Sequence, residues 1–385
     1  MTFASIPEAI DDFRQGKILV VVDDEDRENE GDLTIAADKI TPEAINFMAT
    51  HGRGLICLAL DVGICDRLDL QPMSAVNTAR FGTAFCEAID AAEGITTGIS
   101  AYDRAHTIRV AMDPASRPQD LARPGHVFPL RARTGGVLVR SGQTEAAVDL
   151  ARLAGLSAGG VICEVMNEDG TMARVPQLAE FCRRYGIKMI SVADLIRYRL
   201  QTETLVQQEA AGRIRTAYGE FDMIRYVSRL DGEAHLALIH GEVKRKGNVL
   251  VRVHSRCVHG DVFGSLDCDC RRSIGAALQR IAQAGSGVFI YLHQTGPGLR
   301  VAWRDGHREL LAHGGNQPAT GPSEHHQPLQ HEIGLGAQIL ADLGLTTIRL
   351  LTNHPRKIVG VEAFGIQIVE QVPLTVEAAE DVSVV

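Results

Sequence analysis

The stretch LVVVDDEDRENEGDLTIAA, Leu19 to Ala37, constrains this chain more than any other. Ile18 to Val22 is an apolar, β-branched run of the length of a buried strand. It delivers an almost wholly acidic block, Asp23 to Asp32, before apolar character resumes. A strand that must end in that much negative charge leaves two readings open: a solvated turn, or a site that uses carboxylates. Glu28 and Glu30 lie two apart, so in an extended segment their side chains point the same way. Arg27 beside them can pair a carboxylate or hold a phosphate. Gly31 permits a close backbone approach or a positive φ. Hard carboxylate oxygens with open positions suit Mg2+, which keeps waters and accepts substrate oxygens.

The surrounding chain supplies strands and helices in alternation. Ser5 and Glu8 have capping-box spacing ahead of a helix that Gly16 can close. Thr41-Pro42 opens a second helix ending near Gly52 to Gly54, and GLICLAL, Gly54 to Leu60, reads as a short strand. GGVLV and GGVIC read as two more, with a helix over Thr144 to Gly155 between them. There is no regular βαβ repeat, so the expected class is α+β. At 385 residues the chain is long for one core and is expected to hold two domains. The expected division is 1–200, a polar connector over 201–212, a second α/β domain over 213–375, and a tail over 376–385. The second half carries strand-like AHLALIHGEV, NVLVRVHS, GVFIYLH and TIRLLTN, and helical stretches near Ile274 to Ala284 and Gly336 to Leu343. Trp303 to Gln330, rich in Gly, Pro, His and Gln, lacks periodicity and reads as a flexible loop.

Composition excludes some classes of function. With 45% hydrophobic and 23% charged residues the chain is an ordinary globular one, and its net charge of −9 disfavours nucleic acid and acidic membranes as partners. The N-terminal MTFASIPEAIDDFRQG has no apolar core of a signal peptide, and no apolar run is long enough to span a membrane. Cytoplasmic localisation and reduced, mostly buried cysteines are therefore expected.

Further groups in the first half suit chemistry. His126 follows Pro124-Gly125 and is expected behind a turn. Arg140, Ser141, Gly142 and Thr144 precede a helix, an arrangement that seats a phosphate or is an ordinary Ser or Thr N-cap. Glu164, at a strand end, can act as acid or base if buried.

Together DDEDRENEGD, AAEGITTGISAYDRAHTI, RPGHVFPLRARTGGVLVRSGQTEA and CEVMNEDGTMAR resemble 3,4-dihydroxy-2-butanone 4-phosphate synthase, an enzyme of riboflavin biosynthesis, over about residues 5–200. The resemblance implies a lyase, acting as a homodimer, that converts ribulose 5-phosphate to a four-carbon phosphate and formate with Mg2+ or Mn2+. It implies Glu28 as a metal ligand, Arg27 and Asp32 as substrate contacts, and Glu30 as a proton-handling or orienting carboxylate. It also implies Arg140 to Thr144 as the phosphate loop, His126 and Glu164 as catalytic groups, and Cys57 as a small residue lining the site. The family's Arg-x-Gly-His-Thr motif, whose His ligates the metal, is here RSGQT, so Gln143 takes that place. Cys86 stands where the family usually has Thr.

VHSRCVHGDVFGSLDCDC and LLTNHPRK, with GLGAQILADLG between them, resemble GTP cyclohydrolase II. The resemblance implies Cys257, Cys268 and Cys270 as thiolate ligands of a Zn2+ with one open position, and Thr352 and Lys357 as nucleotide contacts. Charged groups that hold GTP in that family are replaced by Arg256, Asp267, His293, Thr295, Pro297, Leu329 and His331. Asp267 would repel a triphosphate, so this domain is expected to be inactive on GTP. The principal expectation is a synthase with a degenerate second domain. The alternatives are a bifunctional enzyme that also hydrolyses GTP, and a catalytically impaired paralogue that binds or regulates.

Overall fold

The computed structural model describes residues 3–374 except 26, 267, 296–298, 305–306, 313–326, 354–360 and 362–363. The chain divides into two compact units near Arg199 and Leu200. No helix among the described residues is long and apolar enough to cross a membrane.

The first unit opens with α1 (Ile6–Arg14), whose Ser5 and Glu8 form a capping box. β1 (Leu19–Val22) and β2 (Gly31–Ala36) follow as an antiparallel hairpin, and the acidic block is its loop. Next come α2 (Pro42–Phe47), β3 (Cys57–Leu60), α3 (Val62–Arg67), β4 (Ile89–Ala91), α4 (Ala101–Met112) and β5 (Leu121–Arg131). The unit closes with α5 (Gln143–Leu153), β6 (Gly159–Glu164), α6 (Val175–Tyr185), β7 (Lys188–Ser191) and α7 (Val192–Thr202).

Its seven strands form one mixed sheet in the order β4-β5-β3-β6-β2-β1-β7. Central strands are buried on both faces, as their unbroken apolar runs require. Val20, Val22, Leu33, Ile35, Leu58 and Cys163 face one side, packing with Ile45, Met48, Ile108 and Leu178 from helices and their ends. Cys57, Ala59, Leu130 and Ile162 face the other, against Ala147 and Val148 of α5.

Two local expectations change. GGVLV is not a strand: Gly136–Leu138 is a 3-10 turn, with Gly135 and Gly136 both at positive φ. A Cβ on Gly136 would fall 2.1 Å from Asp149 Oδ1, so the glycines turn the chain over α5 where β-branched periodicity suggested extension. Pro124-Gly125 does not make a turn before His126 but lies within β5. There Gly125 admits the β4 backbone so closely that a Cβ would fall 2.0 Å from Ile89 C, and the register shifts between Ile89 and Asp90.

The second unit contains β8 (Val206–Thr216), β9 (Gly219–Ser228), β10 (Ala234–His240), β11 (Val249–Arg256), α8 (Cys270–Gln283) and β12 (Gly287–Thr295). β13 (Leu299–Arg304), β14 (His307–Ala312), α9 (Gln327–Asp342), β15 (Thr347–Leu351) and β16 (Gln367–Val372) complete it. A seven-stranded sheet runs β16-β15-β11-β12-β10-β9-β8, parallel from β16 to β12 and antiparallel beyond. Phe221, Leu250, Leu278, Ile281 and Phe289 form its core.

The expected connector over 201–212 is instead largely β8, an edge strand paired with β9 from Val206. Its side chains from Gln207 to Arg213 are exposed, so polarity marked an edge strand rather than a linker. The expected flexible loop begins as the β13–β14 hairpin, and its end belongs to α9; 313–326 and the expected tail lie outside the described residues.

Candidate active site and thiolate cluster

The acidic loop is folded by one of its own carboxylates. Buried Asp23 accepts from the backbone N–H of Glu30 at 2.8 Å and of Glu28 at 3.3 Å, and from Arg27 Nη1 at 2.7 Å. The left-handed residue that the turn needs is Asn29, φ 53°, rather than Gly31. Gly31 instead provides close approach, since a Cβ there would meet Leu178 Cδ1 at 2.4 Å. Arg174 at the start of α6 donates to the carbonyls of Glu28 and Asn29 from the other side. Glu28 therefore sits in a held turn, not in the extended segment that would have aligned it with Glu30.

Arg27 bridges Asp23 and, through Nη2 at 2.8 Å, Glu28; its guanidinium also lies 5.5 Å from the Phe81 ring centroid. Asp32 is buried on β2 opposite Glu164 at the end of β6. Burial, with the charges of Glu164, Glu28, Asp23 and Glu30, drives the Asp32 carboxyl well above the usual carboxylate range. Glu28 and Glu30 are also raised, chiefly by burial, then by neighbouring acids. Glu164 Oε2 accepts from the Leu55 N–H at 2.8 Å. Cys57 packs on the same face, and burial plus the charges of Glu164 and Asp32 raise its thiol, keeping it neutral.

Gln143 is the first residue of α5 and is buried. Its Nε2 donates to the carbonyls of Val21 at 2.9 Å and Glu30 at 3.3 Å. Those two acceptors fix the amide orientation. They leave Oε1, buried, as an acceptor with no hydrogen-bond partner among the described residues. The N-cap of α5 is Gly142, which has no capping side chain, so an ordinary Ser or Thr cap is not what opens this helix. Arg140 lies over it, paired with Glu145 at 2.6 Å. Ser141 is half-buried and Thr144 buried in the same turn.

His126 lies on β5, two residues before Phe128, which pairs with Cys57. Its ring Nδ1 lies 2.7 Å from Asp90 Oδ2, and its N–H donates to Asp90 Oδ1 at 3.0 Å. The structure thus joins Arg27, Glu28, Glu30, Asp32, Cys57, Gln143 and Glu164 around β1, β2 and β6, and sets His126 with Asp90 at the β4–β5 edge. Asp23, Asp90, Glu145 and Arg174 were missed by sequence reasoning. Each acts on a partner through folding rather than through a motif; Arg174 reaches Glu28 across 146 positions.

In the second unit the Sγ atoms of Cys257, Cys268 and Cys270 lie within 4.8 Å of one another, and those of Cys257 and Cys268 are 3.9 Å apart. Tetrahedral Zn–S bonds of about 2.3 Å place sulfurs about 3.8 Å apart. Gly260 makes the cradle, since a Cβ there would fall 2.6 Å from Cys268 Sγ. Burial raises the Cys268 and Cys270 thiols. Asp261 adjoins the cluster, held by His254 at 3.1 Å, Tyr291 at 2.7 Å and the Cys257 N–H at 2.8 Å. These bonds outweigh burial and keep its carboxyl low. Asp267, Thr295, Pro297, Leu329, His331 and Lys357 lie outside the residues whose side chains are described.

The described residues therefore form two clusters of different character, one of carboxyls and a buried amide on the first sheet and one of thiols in the second unit. The profile of 3,4-dihydroxy-2-butanone 4-phosphate synthase matches residues 7–198, and that of GTP cyclohydrolase II matches residues 207–373. Riboflavin biosynthesis protein RibBA of Aquifex aeolicus is 53% identical over 378 residues, covering 97% of this chain and 93% of that one. RibBA of Bacillus cereus (strain AH187) is 48% identical over 384 residues, covering 98% and 95%. The crystal structure of RibBX from A. baumannii, described as a two domain 3,4-dihydroxy-2-butanone 4-phosphate synthase, superposes with a TM-score of 0.77 at 40% identity, covering 96% of this chain and 99% of that one. A 3,4-dihydroxy-2-butanone 4-phosphate synthase in complex with two magnesium ions covers 52% of this chain and 98% of its own, with a TM-score of 0.50 at 42% identity. The chain belongs to the 3,4-dihydroxy-2-butanone 4-phosphate synthase family of riboflavin biosynthesis, in a two-domain form with a GTP cyclohydrolase II domain.

Proposed function

We propose that the first domain converts D-ribulose 5-phosphate to 3,4-dihydroxy-2-butanone 4-phosphate and formate with Mg2+ or Mn2+, and that the second domain holds Zn2+ without hydrolysing GTP. Two observations carry the first part: the Oε1 of Gln143, buried and without a partner among the described residues, on an amide that donates to the Glu30 carbonyl, and the carboxyls of Glu28, Glu30 and Asp32, raised chiefly by burial. Both features are what a hard divalent cation would satisfy, and the donors are all oxygen, as Mg2+ and Mn2+ prefer. The residues present therefore fit the ion, with Glu28 and Gln143 holding it. When bound, it would polarise the carbonyl and hydroxyls of the substrate.

The remaining roles belong to the chain's own groups. Glu30 and Glu164 handle protons, and Asp32 contacts the substrate as a carboxyl shifted toward neutrality, able to donate as well as accept. His126, with Nδ1 donating to Asp90, keeps Nε2 for proton transfer. Arg27 orients Glu28 and reaches the substrate. The open N-terminus of α5, with Arg140, Ser141, Gly142 and Thr144, receives the phosphate. The reading also takes the protein as a cytoplasmic homodimer with no nucleic-acid or membrane partner. Exposed Leu55, Ile99 and Val139, near site residues in sequence, support burial against a second copy.

For the second domain, the sulfur spacing supports Zn2+ and the three thiolates leave one position open. Arg256 and His293, in place of groups that bind GTP in that family, support a loss of GTP turnover. The RibBX structure, described as a two domain synthase, agrees with this reading. The intact thiolate cluster favours the second reading, retained GTP hydrolysis. Assays of purified protein with ribulose 5-phosphate and with GTP separate them. Formate from the sugar phosphate alone is expected, and pyrophosphate release from GTP would establish the second reading.

A further inference from the structure

Arg140 is a poor candidate for a free phosphate ligand at first sight, because it already has a partner. Its Nη1 donates to Glu145 Oε2 at 2.6 Å, and the side chains are only 12% and 1% exposed. The second oxygen of Glu145 accepts from the Arg133 N–H at 3.0 Å, so the carboxylate is fixed at both ends. Arg140 Nη2 donates to Phe81 O at 3.1 Å and Thr83 Oγ1 at 3.2 Å. Three of the five N–H donors of a guanidinium are thus used to hold it, and two remain.

Where it is held matters. A Cβ on Gly142 would fall 2.3 Å from Arg140 Nη1 and 2.8 Å from Glu145 Oε2. The ion pair therefore lies directly over the N-cap of α5, the end that no side chain caps. First-turn N–H groups and the helix dipole point an anion to the same place.

We propose that Glu145 is a positioning residue for phosphate recognition: it locks the Arg140 guanidinium across Gly142, so that an incoming phosphate meets a preformed site. This rests on the sugar-phosphate reading above and adds a residue to it. A long, flexible arginine left free would have to be ordered on binding, at a cost in affinity. Glu145 removes that cost before the substrate arrives. The opposing idea, that Glu145 only neutralises Arg140 and weakens anion binding, predicts the reverse effect on removal.

The test is calorimetric titration of full-length protein with inorganic phosphate, beside KM and kcat for ribulose 5-phosphate. Glu145→Ala should weaken phosphate binding and raise KM by about tenfold each, with kcat changed less than threefold. Glu145→Gln, which keeps the shape but only one of the two acceptor oxygens, should lie between the Ala variant and wild type. In an Arg140→Gln background, Glu145→Ala should have no further effect on phosphate. If Glu145→Ala fails to fold, Glu145→Asp carries the same prediction at about threefold. Tighter phosphate binding in both Ala and Gln variants, or unchanged binding in Ala or Asp, overturns the proposal. Phosphate binding without turnover in the wild type would sink the synthase reading and still decide the role of Glu145.

Discussion

Asp32 and Glu164 stand directly opposite each other in the antiparallel pairing of β2 with β6. Directly opposed side chains have Cβ atoms about 5 Å apart, and like charges there are destabilising. Here burial comes first and the repulsion second, and together they push the Asp32 carboxyl well above the usual carboxylate range. A fold that tolerates this places function above stability at that pair. Asp32→Asn should therefore raise the unfolding midpoint of the metal-free protein while lowering kcat/KM by about tenfold or more, the scale of a lost hydrogen bond to substrate. A variant that is less stable and fully active would contradict the assignment.

The raised carboxyls give a definite sign to pH dependence. Glu28, Glu30 and Asp32 bind protons more tightly folded than unfolded. Their contribution to stability is full below the unfolded pKa values near 4 and is lost as pH rises through the folded values. Buried Asp149, raised to about 6 despite Arg199, adds the same sign. Denaturation of metal-free protein should show these groups favouring pH 4.5 over pH 7, and Mg2+ should reverse that bias by displacing protons. Proton release on Mg2+ addition, read in a weakly buffered solution, checks the same claim.

Asp23 organises the loop without being assigned to touch substrate. Asp23→Asn keeps an acceptor but loses the charge that holds Arg27. Supporting residues around metal sites are worth about 10- to 100-fold in affinity. Mg2+ titration of this variant should show weakening in that range, with the far-UV circular dichroism unchanged. Wild-type affinity would leave Asp23 a structural residue only.

In the second domain, one Zn2+ per chain should be retained through gel filtration and lost in Cys268→Ser, as measured by elemental analysis. Chelation should lower the midpoint of that domain, since structural thiolate sites contribute folding energy. A metal content of zero in protein purified under reducing conditions would contradict the cluster's role.

The sequence showed the first domain's elements well because capping signals and unbroken apolar runs are local. Ser5 with Glu8, Thr41 before Pro42, and Leu19 to Val22 each declare themselves within a few residues. It misread GGVLV, where a close approach to Asp149 set the backbone, and residues 206–212, where solvent exposure of an edge strand looked like a linker. In the site, the residue types were legible but their holders were not. Asp23, Arg174 and Glu145 act on backbone groups or on an arginine, and such partners emerge only when the chain closes. The orientation of Gln143 belongs to the same class. Only the carbonyls of Val21 and Glu30 decide which amide atom is left without a partner among the described residues.

An all-oxygen site with a glutamine at its helix end should perform the synthase reaction, and the decisive measurement is formate release from ribulose 5-phosphate by the wild-type protein, with Mg2+ present and after its removal. Mg2+-dependent formate is expected in equal amount to a four-carbon phosphate, restored when the ion is returned. No turnover in the wild type, with turnover appearing in Gln143→His, would contradict it and would make this chain a binding protein that lost its chemistry at one residue.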